Sequence, residues 1–307
     1  VEELADSAGI SIPMLRAWES AIGLPSHERY RPSDAEDARL LARLVAYLPG
    51  SEVDALVRPF RADGQALQRI AMAHLELVYR NFIQPLRAAG GNDVAVAIAL
   101  AEAAHALLPL AGPLVGTAYR RIMEHLLSTE LVAQATRGAV DRMDLAVAFV
   151  DVVGYTSLSA RIDPEGLDEV IDAFETRCYT VAGLNERIQL VKFLGDAAMY
   201  ISTDAVALAR AMLDVTEYAE HDSPLAGAPM RAGLAFGECL VRQGDYFGPP
   251  VNLAARLTDR ARAGTVLAQP DLAETLEGHF ALRRLPPIHL RGLGHLRPVA
   301  VRRTDGG

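Results

Sequence analysis

The periodicity of the chain changes once, near residue 140, and that change divides what its two parts can become. Up to that point apolar residues recur at helical spacing with almost no alternation, so residues 1–140 read as a helical domain. Beyond it short apolar runs alternate with amphipathic stretches, so residues 141–307 read as a sheet with helices. A length of 307 residues accommodates two such units. With 50% hydrophobic and 22% charged residues the chain can bury a core in each, which excludes a disordered or collagen-like chain.

Within the first part, Glu3–Ile10 and Ser11–Glu19 read as two short helices joined at Gly9, with Ser11 as N-cap and Pro13 just inside the second. That is a helix-turn-helix outline over residues 3–24. Ser33 followed by Glu36 forms a capping box for a helix over 34–45. Longer helices are expected near 65–84, 92–108 and 114–135, the last with Tyr119, Ile122, Met123, Leu126 and Leu127 on one face. Val94–Ala118 has the hydropathy of a membrane span, but Glu102, His105, Pro109 and Pro113 interrupt it. The prolines should break a helix of that length, so the expectation is buried helices and no membrane partner.

The second part opens with LAVAFV (145–150), a buried strand that leaves its sheet at Asp151. A helix follows from Pro164 to about Val181. Strands over 188–193 and 197–202 flank a hairpin at Leu194-Gly195-Asp196, where Gly195 supplies the positive φ. After a helix over about 204–220 and a strand over 230–237, the Gly-rich turn GDYFGPP (244–250) leads into a helix near Val251. The order βαββαβ is ferredoxin-like, making the fold class α+β: an all-α N-terminal domain followed by a ferredoxin-like domain.

In such a sheet the first strand and the hairpin are neighbours, so Asp151 and Asp196 can converge on hard cations. Magnesium takes a few carboxylates together with phosphate oxygens, which makes a nucleotide the natural partner. Taken alone, Asp151 reads more simply as a turn cap and Asp196 as a hairpin residue. Lys192 stands out for another reason: of the 30 basic residues 29 are Arg, and it is the one lysine.

FVDVVGYT (149–156), VKFLGDAAM (191–199) and GDYFGPPVNLAARL (244–257) resemble the signature segments of the class III nucleotidyl cyclase catalytic domain, in the family's order and spacing. The resemblance covers about residues 141–304, and the layout resembles bacterial adenylyl cyclases with a helical N-terminal regulatory domain. It implies that Asp151 and Asp196 bind two metal ions per active site, Mg²⁺ or Mn²⁺. It further implies that Lys192 and Asp245 select adenine, and that Asn252 and Arg256 hold the ribose and stabilise charge on the α-phosphate. Lys can donate to adenine N1 and Asp can accept from its amino group, whereas guanylyl cyclases usually carry Glu and Cys or a similar set. The implied reaction takes ATP to 3′,5′-cyclic AMP and pyrophosphate, with one metal activating the ribose 3′-hydroxyl and the second holding the triphosphate. The family also places the aspartates of one protomer opposite the other four residues of its twin, which implies a homodimer with shared active sites.

The remaining expectations concern setting and control. A net charge of −9, and ten acidic against six basic side chains in residues 1–60, disfavour DNA binding even though residues 3–24 resemble the start of MerR-type modules. A DNA-associated regulator that only binds nucleotide, or a guanylyl cyclase, is the alternative. Two distant cysteines, Cys178 and Cys239, and an opening with no secretory signal pattern point to the cytoplasm. The resemblance implies regulation by the N-terminal half, in some relatives by acidity, and His27, His74, His105 and His125 all lie there; the apolar stretch Val94–Val115 reads either as a lipid site or as a dimer core, and Tyr119–Arg142 is expected as a linker helix and switch.

Overall fold

The computed structural model describes residues 2–24, 32–48, 53–128, 142–218 and 228–304. The chain forms two compact units, Val1–Arg121 and Ile122–Gly307.

The first unit opens with helices α1 (Glu2–Ala8), α2 (Ile12–Ala21) and α3 (Pro32–Tyr47). Gly9 takes a φ of +69° between the first two, and the Ser11 hydroxyl accepts from the Met14 N–H at 3.3 Å. The expected helix-turn-helix start and cap are therefore present. The third helix begins earlier than the capping box suggested, so Ser33 lies inside it. Leu4, Met14, Leu15, Ala38 and Leu41 pack with Leu56 and Phe60 of helix α4 (Val53–Val78) into a small core. A π-helical turn over Tyr79–Ile83 carries the chain into α5 (Gln84–Ala88).

Helix α6 (Asp93–Ser128) contradicts two expectations. It runs without a break through Pro109 and Pro113, and only 6% of its most apolar window is buried. Each proline removes one bond to the carbonyl four residues earlier, at His105 and Pro109. Both positions are exposed, so water can take those carbonyls while the Ala- and Leu-rich neighbours keep the helix. By length and composition Asp93–Leu127 is long and apolar enough to cross a membrane. Of the expected linker helix, 119–128 belongs to α6, 129–141 falls outside the described residues, and Arg142 already lies in a strand. His27 also falls outside them.

The second unit takes in the last turns of α6, and its sheet begins with β1 (Arg142–Val152), followed by the short α7 (Tyr155–Ser159), then α8 (Pro164–Gly183), β2 (Ile188–Leu194), β3 (Ala197–Ser202), α9 (Ala205–Tyr218) and β4 (Met230–Arg242). This is the expected βαββαβ order. The chain continues through β5 (Asp245–Phe247), α10 (Pro249–Arg260), β6 (Val266–Ala268), α11 (Ala273–Leu276), β7 (Ala281–Arg284), β8 (Ile288–Leu290), β9 (Gly294–Leu296) and β10 (Val299–Arg302). The main sheet has the order β2-β3-β1-β4-β6-β10-β7, with β5 paired to β4.

Strand β1 sits between two antiparallel partners, with Asp151 opposite Ala197 on one side and Arg231 on the other. Both of its faces are covered, which is why it reads as a continuous apolar run. Ala146, Ala148, Val150 and Val152 face the core built with α8 and α9. Met143, Leu145, Val147 and Phe149 face the opposite layer, with Tyr246 and Ala254. Helix α10 lies on β4 so closely that a Cβ at Gly233 would collide with the Ala254 carbonyl and with Thr258. The Thr258 hydroxyl, 3.1 Å from the Phe149 carbonyl, ties the helix to β1. Burial pushes the thiols of Cys178 and Cys239 up to about 12 and about 11, so both stay protonated at neutral pH.

Candidate active site

Two clusters of polar side chains gather at the second unit, the first at the end of paired strands and the second between β2 and the start of β5. The first is acidic. Asp151 ends β1 and Asp196 occupies the two-residue β2–β3 turn, in which Gly195 has a φ of +67°. The Val152 N–H donates to the Asp196 carbonyl at 3.1 Å, so the turn is stitched to the end of β1 and the two carboxylates become neighbours. Sequence spacing alone separates them by 45 positions; the β1–β3 register brings them together.

Arg231, which the sequence reading passed over, completes this cluster. It faces Asp151 across the β1–β4 ladder, and its Nε and Nη2 donate to Asp151 Oδ2 at 3.0 and 2.6 Å. Its Nη1 reaches the Asp259 carbonyl at 2.9 Å, linking the acidic end of β1 to the last turn of α10. The signal was present as an Arg at the start of a strand predicted to neighbour β1, but it needs the register to be read. Burial raises the Asp151 carboxyl above its ordinary value; Arg231 opposes that shift and Asp196 reinforces it.

Two neighbouring carboxylates, one already drawn to a cation, are the donor set of a hard divalent ion that takes its other ligands from water and phosphate. Among the described residues no group of three or more His, Cys, Asp or Glu could hold a metal alone. The acidic pair alone leaves most positions around a hard ion to oxygens from outside the chain.

The second cluster is Lys192 with Asp245. Lys192 lies on β2 and Asp245 opens β5, 53 positions apart, and the Nζ donates to Asp245 Oδ2. The Tyr246 N–H holds the other carboxylate oxygen at 2.9 Å. Their side chains are 29% and 30% exposed, enough for a ligand to reach both. Asn252 and Arg256 stand one turn apart on the exposed face of α10, opposite buried Ala254, Leu257 and Thr258. Arg256 reaches Asp259 at 3.4 Å. The six residues singled out in the sequence thus fall as an acidic pair, a lysine–aspartate pair and one helix face.

The model of the adenylate and guanylate cyclase catalytic domain matches residues 140–302. An adenylate cyclase of Streptomyces coelicolor is 30% identical, with 99% of this chain and 86% of that protein aligned. A pH-sensitive adenylate cyclase of Mycobacterium tuberculosis is 27% identical over 98% of this chain and 77% of that protein. The solved adenylyl cyclase from P. aeruginosa is similar at 23% identity and a TM-score of 0.47, covering 54% of this chain and 96% of that one. The family match spans more than half of the chain, and with it the strands and the helix that carry both clusters: the chain belongs to the adenylate and guanylate cyclase family.

Proposed function

We propose that the protein is an adenylyl cyclase that converts ATP to 3′,5′-cyclic AMP and pyrophosphate. The observation that carries this reading is the Lys192–Asp245 pair. An ammonium has three donors and an ionised carboxylate about four acceptor positions, so each partner keeps capacity for a base edge while the two remain bonded. Lys192 would donate to adenine N1 and Asp245 accept from the amino group. Guanine presents a protonated N1 and a carbonyl there, leaving a donor facing a donor and an acceptor facing an acceptor.

Asn252 would hold the ribose so that its 3′-oxygen stands in line with the α-phosphorus. The 3′-hydroxyl gives its proton to solvent as the O3′–P bond forms, the bond from the α-phosphorus to the bridging oxygen breaks, and pyrophosphate leaves. Arg256 would donate to the α-phosphate oxygens, where charge accumulates. Asp151 and Asp196 would hold Mg²⁺ or Mn²⁺; when bound, such ions supply Lewis acidity to the 3′-hydroxyl and neutralise the triphosphate. Arg231 neutralises Asp151 when no such cation is present.

The site is shared in this reading: the acidic pair of one protomer meets the other four residues of a twofold partner. The N-terminal helices would set how the two catalytic domains close, in response to pH or to a lipid. The test is incubation of the full chain with ATP or GTP and Mg²⁺ or Mn²⁺, with the product identified by mass. Cyclic AMP from ATP is expected; cyclic GMP as the main product would overturn the adenine assignment.

A further inference from the structure

We infer that the β8–β9 hairpin carries a second kind of metal site, a two-histidine clamp for a borderline transition ion such as Zn²⁺. His289 and His295 stand directly opposite each other on the two antiparallel strands. Their rings lie 5.0 Å apart between centroids, inclined at 56°, and both residues are exposed. The separation of the rings matches that across a shared ion. With a Zn–N bond of about 2.0–2.1 Å, each ring centroid sits about 3 Å from the metal, and two such legs at a tetrahedral angle put the centroids about 5 Å apart.

The hairpin holds this arrangement from below. Leu290 is buried with Leu257, Ala261, Leu267 and Ala300, while Ile288 and Leu296 pack against the same cluster. Strand alternation therefore turns both histidines outward. Gly292 and Gly294 adopt φ of +83° and +78°, and the Leu293 N–H closes the loop on the Leu290 carbonyl at 3.0 Å. Arg260, at the end of α10, donates to the His289 carbonyl at 3.2 Å and fixes the hairpin to the helix that bears Asn252 and Arg256.

The donor chemistry separates this site from the acidic pair. Imidazole nitrogen suits Zn²⁺, Ni²⁺ or Cu²⁺ and has little affinity for Mg²⁺, whereas paired carboxylates prefer the hard ion. Two protein ligands leave the rest of the coordination shell to water, so the ion would be exchangeable and would sense availability instead of holding the fold together. The clamp would load whatever the nucleotide substrate is.

The experiment is a calorimetric Zn²⁺ titration of the full chain, stripped with EDTA and then saturated with millimolar Mg²⁺ to occupy carboxylates. The native chain should take up one equivalent of Zn²⁺ that is lost in His289→Ala and also in His295→Ala, and retained in the control His279→Ala. Thermal melts should agree: Zn²⁺ raises the midpoint of the native chain and of the control but not of either hairpin variant, since binding to the folded state alone stabilises it. Both substitutions are at exposed positions, and melts without Zn²⁺ check that the variants fold. Retention of that equivalent in either hairpin variant would overturn the clamp.

Discussion

Asp151 is the residue on which opposing effects are most evenly set. Its carboxylate is 15% exposed, and burial penalises its charge while Arg231 favours it, with the net shift upward. A carboxyl with a folded-state pKa above the unfolded value withholds stability while ionised. In EDTA the chain therefore gains stability at this site as pH falls from neutral through the folded-state pKa, with no further gain below the ordinary value of 3.8. The melting midpoint of the native chain, measured relative to Asp151→Asn, is expected to rise on acidification in EDTA; a flat difference would mean that Arg231 cancels burial. Arg231→Ala leaves the charge without its partner and should cost about 1–3 kcal/mol in EDTA. Saturating Mg²⁺ should recover most of that loss, which melts in the two buffers would read. In the proposed mechanism the large effect belongs to Arg256: Arg256→Ala should lower kcat on the order of 10³-fold with little change in KM, as measured by cyclic nucleotide formation.

At the scale of elements, the site depends on how closely α10 lies on the sheet. Gly233 allows that approach, because any side chain there would meet the Ala254 carbonyl and Thr258. Gly233→Ala should push the helix outward, cost about 1–3 kcal/mol in stability and lower kcat more than it raises KM, since Asn252 and Arg256 move together. An unchanged kcat at a lowered melting midpoint would show that the helix position is not what aligns them. The same elements explain what could be read in advance. Strands β1 and β3 are legible because their cores are runs of apolar residues, and β2 because Ile188, Leu190, Val191, Phe193 and Leu194 lead into the Gly195 turn; Asp151 and Asp196 stand at their ends. Strand β4 was read only to Gly237; it continues to Arg242 through alternately exposed residues such as Glu238 and Leu240, which resemble a loop in sequence. Arg231 was missed because its partner lies 80 positions away and only register joins them. Helix α6 is illegible in advance because the cost of a proline depends on whether the residue four positions earlier is packed, and His105 and Pro109 are both exposed, which sequence does not show.

For the whole molecule, the two clusters pose a question of assembly. Lys192 and Asp196 are four positions apart on one hairpin, yet Lys192 bonds to Asp245 while Asp196 lies against Asp151. In the shared-site reading one copy of the chain offers two half-sites, and a twin completes each. Mixing separates this arrangement from one in which a single chain does all the work. Asp151→Ala and Arg256→Ala proteins damage opposite halves, so a heterodimer of the two has one intact site and one doubly damaged site. Random exchange makes half of the dimers mixed, each with one of its two sites intact, so the mixture should recover about a quarter of native activity although each variant alone is nearly inactive. Cyclic AMP formation after co-refolding or co-expression reads this directly, with the mixed dimers verified by differential tags. A verified heterodimer as inactive as its parents would show that both half-sites of one chain must serve the same substrate, and the twofold arrangement would have to be given up.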